Sequence, residues 1–136
     1  MTQAVQAHLP ASILYIEDIE ANIKVVRAIL KSQAPDTELV AVKNAEDGLR
    51  IAFEQQPGLI LMDINLPEMD GLEATRRLKQ DAKTSAIPVI ALTADAMPQQ
   101  IELADNIGFS AYITKPIDVA AFMQTLTSVY ESEVIA

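Results

Sequence analysis

Unbroken apolar runs alternate along this chain with apolar residues spaced at three and four. Ser12-Ile13-Leu14-Tyr15-Ile16 is a first run and predicts a strand, with two acids, Glu17 and Asp18, at its exit. Ile23, Val26 and Leu30 then fall at helical spacing within 21–33, and Val25 and Ile29 widen the stripe. Pro35-Asp36 ends that helix, and Glu38 to Val42 predicts a second strand. Asn44 is placed to cap a second helix whose inner face is Ala45, Leu49, Ala52 and Phe53. Pro57-Gly58 closes it. Leu59-Ile60-Leu61-Met62 follows without a polar interruption and stops at Asp63, the pattern of a strand buried on both faces.

Pro67 and the Asp70-Gly71 pair force a loop, and a third helix runs from Gly71 to about Lys79. Ile87 to Leu92 predicts a fourth strand with Thr93 at its exit, and Met97 to Asn106 a fourth helix with a thin apolar face of Ile101 and Ala104. Gly108 suits the left-handed stop after that helix. Ala111 to Thr114 is a short fifth strand leading to Lys115-Pro116, and a last helix spans Asp118 to about Glu131. It carries Val119, Phe122, Met123, Leu126, Val129 and Tyr130 on one face. Residues 12–131 therefore form one domain, with an N-terminal tail over 1–11 and a C-terminal tail over 132–136. Strict alternation with unbroken apolar strands predicts an α/β fold: a doubly wound, five-stranded parallel sheet with five helices on its two faces.

In such sheets ligands bind beyond the carboxyl ends of the strands. The polar groups collect at that rim: Glu17 and Asp18 after strand one, Asp63 after strand three, Thr93 after strand four, Lys115 after strand five. Each alone has a plain explanation, as a turn, a cap or a solvated base. Independent turn residues have no reason to supply acids, a hydroxyl and a base at successive exits. Crowded carboxylates repel, which raises one pKa or recruits a cation. Oxygen ligands without His or Cys select a hard ion, and Mg²⁺, or Mn²⁺, fits a few carboxylates plus phosphate oxygens. An aspartate can attack phosphorus and hold an acyl phosphate. The Lys115 ammonium and the Thr93 hydroxyl would take phosphoryl oxygens that the cation leaves.

Composition narrows the classes. Net charge is −9, from 19 acids against 10 bases, which argues against direct nucleic-acid binding and against an anionic membrane surface. With no Cys and a single His, His8, there is no thiolate chemistry and no His-based metal site or triad. No apolar run reaches spanning length, so no membrane insertion is expected, and the N-terminus lacks signal-peptide character. A cytoplasmic protein is the expectation.

The stretches Ile13 to Asp18, Leu61 to Pro67, Met69-Asp70-Gly71, Ala91-Leu92-Thr93-Ala94 and Tyr112 to Pro116 together resemble a response-regulator receiver domain. This is the phospho-accepting module of two-component signalling, and the resemblance spans about Ser12 to Tyr130. It implies a flavodoxin-like strand order of 2-1-3-4-5. It implies that Asp63 is the phospho-acceptor, that Asp18 and Asp63 bind Mg²⁺ directly with the Asn65 backbone carbonyl, and that Glu17 acts through water. Lys115 would pair with Asp63 and then with the phosphoryl group. Thr93 would turn inward on phosphorylation, followed by Tyr112, and the Lys115-Pro116 bond would be cis. Position 17 holds Glu, where an Asp is also common in this family. The implied partners are a sensor histidine kinase or a His-phosphotransfer protein, and a downstream protein whose identity the sequence does not give.

Further expectations come from position. The first helix has a wider apolar arc than one core face needs, so Val25 and Ile29, with Pro116, are expected to dock the phospho-donor. Asn65 and Asp95 lie near the path of an attacking water and are expected to set the lifetime of the phosphorylated state. Three other functions compete. An aspartyl-phosphate hydrolase needs a general acid, and one large phosphatase family uses Asp two residues after the nucleophile, where this chain has Asn65. A flavin carrier needs a phosphate loop after strand one, where Glu17-Asp18-Ile19-Glu20 would repel the ligand. A degenerate receiver acting only as an interaction module conflicts with the intact Asp63, Thr93 and Lys115. On that reading the protein is a switch rather than an enzyme. It is either a stand-alone regulator or a receiver excised from a hybrid kinase.

Overall fold

The computed structural model describes residues 9–64, 66, 71–94, 102 and 106–135. Five strands, β1 (Ser12–Ile16), β2 (Glu38–Val42), β3 (Leu59–Asp63), β4 (Val89–Thr93) and β5 (Ala111–Thr114), form one parallel sheet in the order β2-β1-β3-β4-β5. That is the order implied by the family resemblance. Helices α1 (Glu20–Gln33), α2 (Ala45–Gln55), α3 (Gly71–Gln80) and a C-terminal helix (Val119–Ile135) pack on its faces. These four are the complete helices among the described residues. The expected fourth helix, Met97 to Asn106, lies largely outside them, although Glu102, Asn106 and Ile107 are helical.

Alternation along each strand sorts the core into two layers. Leu14, Ile16, Ile60, Met62, Val89 and Ala91 face the layer that holds α2 and α3 residues such as Leu49, Ala52, Ala74 and Leu78. Ile13, Tyr15, Leu59, Leu61, Ile90, Leu92 and Ile113 face the other, with Ile23, Val26 and Leu30 of α1 and Phe122 and Leu126 of the C-terminal helix. Central strands β3 and β4 are buried along their whole length, whereas edge strand β2 is half-open. Hence the unbroken apolar runs belong to the middle of the sheet.

Several boundaries move. Strand β4 begins at Val89, because Pro88 offers no N–H to the ladder and its carbonyl instead accepts from Ile60. The C-terminal helix runs on to Ile135, since nothing between Ser132 and Ile135 breaks a helix; those residues are not a frayed end. At the other terminus, Leu9 to Ala11 are seated on the domain. The Thr37 hydroxyl donates to the Pro10 carbonyl at 2.9 Å, and Pro10 packs against Gly58. Val119, expected in the core, is exposed on the first turn of its helix. Asn44 caps α2 as expected, its side-chain oxygen accepting from the Asp47 amide at 2.8 Å. Gly108 has φ +115, the left-handed stop that its position predicts.

Gly71 matters for function because it starts α3 directly behind the end of β3. A Cβ there would lie 2.5 Å from the Asp63 carbonyl oxygen and 2.7 Å from the Ile64 Cα. Backbone atoms cannot rotate away as a side chain does. Gly71→Ala is therefore expected to cost about 2 kcal/mol through overpacking. The check is urea unfolding, where the midpoint should fall and the slope stay unchanged.

Candidate functional site

By alternation, Glu17 continues the Ile13–Tyr15 side of β1, Asp63 the Leu59–Leu61 side of β3, and Lys115 the Ile113 side of β5. All three therefore emerge toward α1 and the C-terminal helix at the carboxyl rim. Thr93 and Tyr112 continue the opposite side, that of Val89 and Ala91. The two expected switch residues thus share one face, and the acid–base group shares the other. Strands β3 and β4 are adjacent, with Asp63 in register with Leu92, so Thr93 stands one residue beyond Asp63. The Lys115 amide donates to the Thr93 carbonyl at 2.8 Å and ties the two exits together.

Glu17, Asp18 and Asp63 each place a carboxylate oxygen within 4.8 Å of the others. Glu17 is 0% exposed and Asp63 3%, so their charges cannot be left to solvent. Lys115 is the described cation that meets them, with its ammonium 3.0 Å from Glu17 Oε1 and 3.7 Å from Asp63 Oδ2. The resemblance implied Asp63 as the partner of Lys115, but the shorter contact goes to Glu17. The physical reason is reach: Glu is one methylene longer than the Asp common at this position, and meets the ammonium first.

Glu17 is held from several sides. Its Oε1 also accepts from the Tyr15 hydroxyl at 2.9 Å and from Asn22 Nδ2 at 3.3 Å, and its Oε2 from the Ile19 amide at 3.3 Å. Burial pushes the Glu17 carboxyl up, but hydrogen bonding with Asp63, Lys115 and Tyr15, with the Lys115 charge, outweighs it and sets it below its ordinary value. Burial pushes the Tyr15 phenol well up, and the charges of Glu17 and Asp63 and the Glu17 hydrogen bond add to that, so Tyr15 stays a proton donor. Tyr15 escaped notice in the sequence because it reads as one more apolar strand residue. The signal that could have found it is its spacing, two residues before Glu17 on the same strand side.

Other expected residues divide. Thr93 is buried at the rim, Tyr112 is half-buried, and the Lys115–Pro116 bond is cis. Asn65 and Asp95 lie outside the described residues. On α1, Val25 is 48% exposed but Ile29 only 7%, so Ile29 belongs to the core and is not available for docking. At about 100° per residue, Ile29 falls between Val25 and Val26 around the helix. The covering layer reaches as far round as Ile29 and stops short of Val25. Pro116 is exposed.

The profile of the response regulator receiver domain matches residues 13–127. The chain belongs to that family. The receiver's curated relatives include the polar-differentiation response regulator DivK of Brucella anthropi, 42% identical over 120 residues that cover 88% of this chain and 96% of the relative. DivK of Brucella suis biovar 1 is 42% identical over 86% of this chain and 94% of its own length. Among solved structures, the receiver domain of a sensor histidine kinase from Pseudomonas aeruginosa PAO1, with a magnesium ion coordinated in its active-site cleft, superposes with a TM-score of 0.81. It is 31% identical and covers 90% of this chain and 98% of that one. A response regulator from Chloroflexus aurantiacus superposes at 0.84 with 20% identity over 90% and 98% of the two chains, which is a likeness of fold. The protein is thus a receiver of two-component signalling. Its three-carboxylate donor set, all oxygen and partly buried, fits a hard divalent cation. No helix among the described residues is long and apolar enough to cross a membrane.

Proposed function

We propose that this receiver takes a phosphoryl group from a phosphohistidine donor onto Asp63 and changes its partner-binding surface as a result. The observation that carries the reading is the placement of Asp63. It is a buried carboxylate at the end of a central strand, within 4.8 Å of two further carboxylates and with the Lys115 ammonium 3.7 Å away. Such a group can attack an electrophile whose charge the surroundings accept.

Glu17, Asp18 and Asp63 would hold Mg²⁺, with the Asn65 carbonyl as a further ligand and Glu17 acting through water. Mg²⁺ supplies neutralisation of phosphoryl charge there. An Asp63 oxygen forms the new bond to phosphorus as the bond to the donor imidazole breaks. Lys115, already poised between two carboxylates, shifts its pairing toward the phosphoryl oxygens. Thr93, at the exit of β4, gives them its hydroxyl, and Tyr112 on the same sheet side follows. Asn65 and Asp95 set how fast water reaches the acyl phosphate. Signal leaves through the sheet side that carries Thr93 and Tyr112. The donor is a sensor histidine kinase or His-phosphotransfer protein, and the cell compartment is the cytoplasm.

The test is intact-mass spectrometry after acetyl phosphate. One phosphoryl group should be added with Mg²⁺ and none with chelator. No added mass, or addition that persists in chelator, removes the reading.

Docking is read from exposed apolar side chains near this rim. Ile19 at the start of α1 is 51% exposed, Val25 48% and Val119 44%, and Pro116 is exposed beside Lys115. Val25 and Val119 belong to the two helices on the acid–base side of the sheet, and Ile19 caps the first of them. Charging this surface with Val25→Asp and Val119→Asp should slow transfer from a phosphohistidine donor about tenfold or more, as for loss of central interface contacts. Uptake from acetyl phosphate should be unchanged. Equal slowing with both donors would place the defect in the chemistry rather than in docking.

A further inference from the structure

We propose that Tyr15 is a positioning residue for the carboxylate cluster: its buried hydroxyl holds Glu17, and through Glu17 it sets how tightly the cluster takes a divalent cation. The inference rests on the cation-assisted reading above and adds to it a residue outside the set of charged groups.

Tyr15 is 0% exposed in the layer between the sheet and α1. A phenylalanine would fill the same space. A hydroxyl in that layer costs free energy unless it is hydrogen-bonded, and its bond goes to Glu17 Oε1 at 2.9 Å. The bond answers a need that an Asp at position 17 would not create. Glu has one more rotatable bond than Asp, and so more freedom to lose when its carboxylate is fixed beside Asp18 and Asp63. Beside its hydrogen bonding with Asp63, it accepts from Tyr15, Lys115, Asn22 and the Ile19 amide. The Asn22 and Ile19 contacts are longer, at 3.3 Å. Lys115, at 3.0 Å, is the donor that leaves for the phosphoryl group during the reaction. Tyr15 is then a short contact that stays. With Tyr15, Lys115 and Asn22 all on Oε1, that oxygen is saturated, and Oε2 keeps the capacity for further partners.

The experiment is Mg²⁺ titration of the full chain by calorimetry, repeated with Mn²⁺ by electron paramagnetic resonance. It compares wild type, Tyr15→Phe, Glu17→Asp and the double variant. Tyr15→Phe should weaken both ions roughly tenfold, the lower end of the scale found when an outer-shell group at a metal site is removed. Within Glu17→Asp, whose carboxylate is drawn back from the phenol, Tyr15→Phe should change nothing. A residue that merely packs would act equally in both backgrounds, and that result overturns the proposal. So does wild-type affinity in Tyr15→Phe. Wild type that takes neither ion would instead sink the cation reading itself, and this inference with it.

Discussion

Asp63→Asn is expected to abolish phosphoryl uptake from acetyl phosphate while leaving the domain folded and more heat-stable than wild type in chelator. The two halves of this expectation have one cause. Asparagine matches the shape of aspartate but has no anionic oxygen to form the bond to phosphorus. It also removes one of three carboxylates whose oxygens lie within 4.8 Å of one another, two of them buried. Buried like charges raise the free energy of the folded state, so their removal raises the melting temperature. Added Mg²⁺ stabilises wild type by binding the native state alone, and should stabilise the variant less. Intact mass reads the first half, and thermal melts with and without Mg²⁺ read the second. A variant that takes up label shows that another residue accepts it. A variant that melts lower in chelator shows that Asp63 is not under electrostatic strain.

The second large effect is expected at Lys115. Its side chain is 19% exposed and that of Glu17 0%, so this pair is mostly out of water. Removing one partner of such a pair leaves the other buried and uncompensated, at a cost of about 3 kcal/mol. Lys115→Ala should therefore melt well below wild type in chelator. The same loss strengthens the pull of the carboxylates on a divalent cation, because the ammonium no longer competes for Glu17 and Asp63. Mg²⁺ should then raise the melting temperature of Lys115→Ala more than that of wild type. Parallel melting curves for the two proteins across a Mg²⁺ series would show that the ammonium does not neutralise the cluster.

Much of this was legible along the chain, for reasons that differ by element. The runs Leu59 to Met62 and Val89 to Leu92 announce central strands because a parallel strand covered on both faces has no position for a polar side chain. Asn44 announces α2 because the cap is a local bond between neighbours. Gly108 announces a stop because its φ is one that other residues avoid. The rim set was legible too, since polar groups that end apolar runs must sit at strand exits.

Ile29 and Val119 were not legible. Both are apolar residues at helical spacing, and spacing does not say how far round the helix the partner layer reaches. The packing of α1 takes in Ile29 and leaves Val25 out, and the first residue of the C-terminal helix, Val119, is left uncovered. Tyr15 was hidden by its own bulk, which satisfies the pattern of a buried strand without its hydroxyl.

The sequence by itself determined that five strands alternate with helices, that acids, a hydroxyl and a base stand at their exits, and that the metal-binding groups on offer there are oxygens. Those properties follow from periodicity and residue type, which are local. Only the tertiary structure decided that Lys115 meets Glu17 before Asp63, that Tyr15 holds Glu17, and that Ile29 is core. Such facts depend on distances between residues as far apart in the chain as 17 and 115, which the packing of the sheet and helices sets and no local pattern encodes.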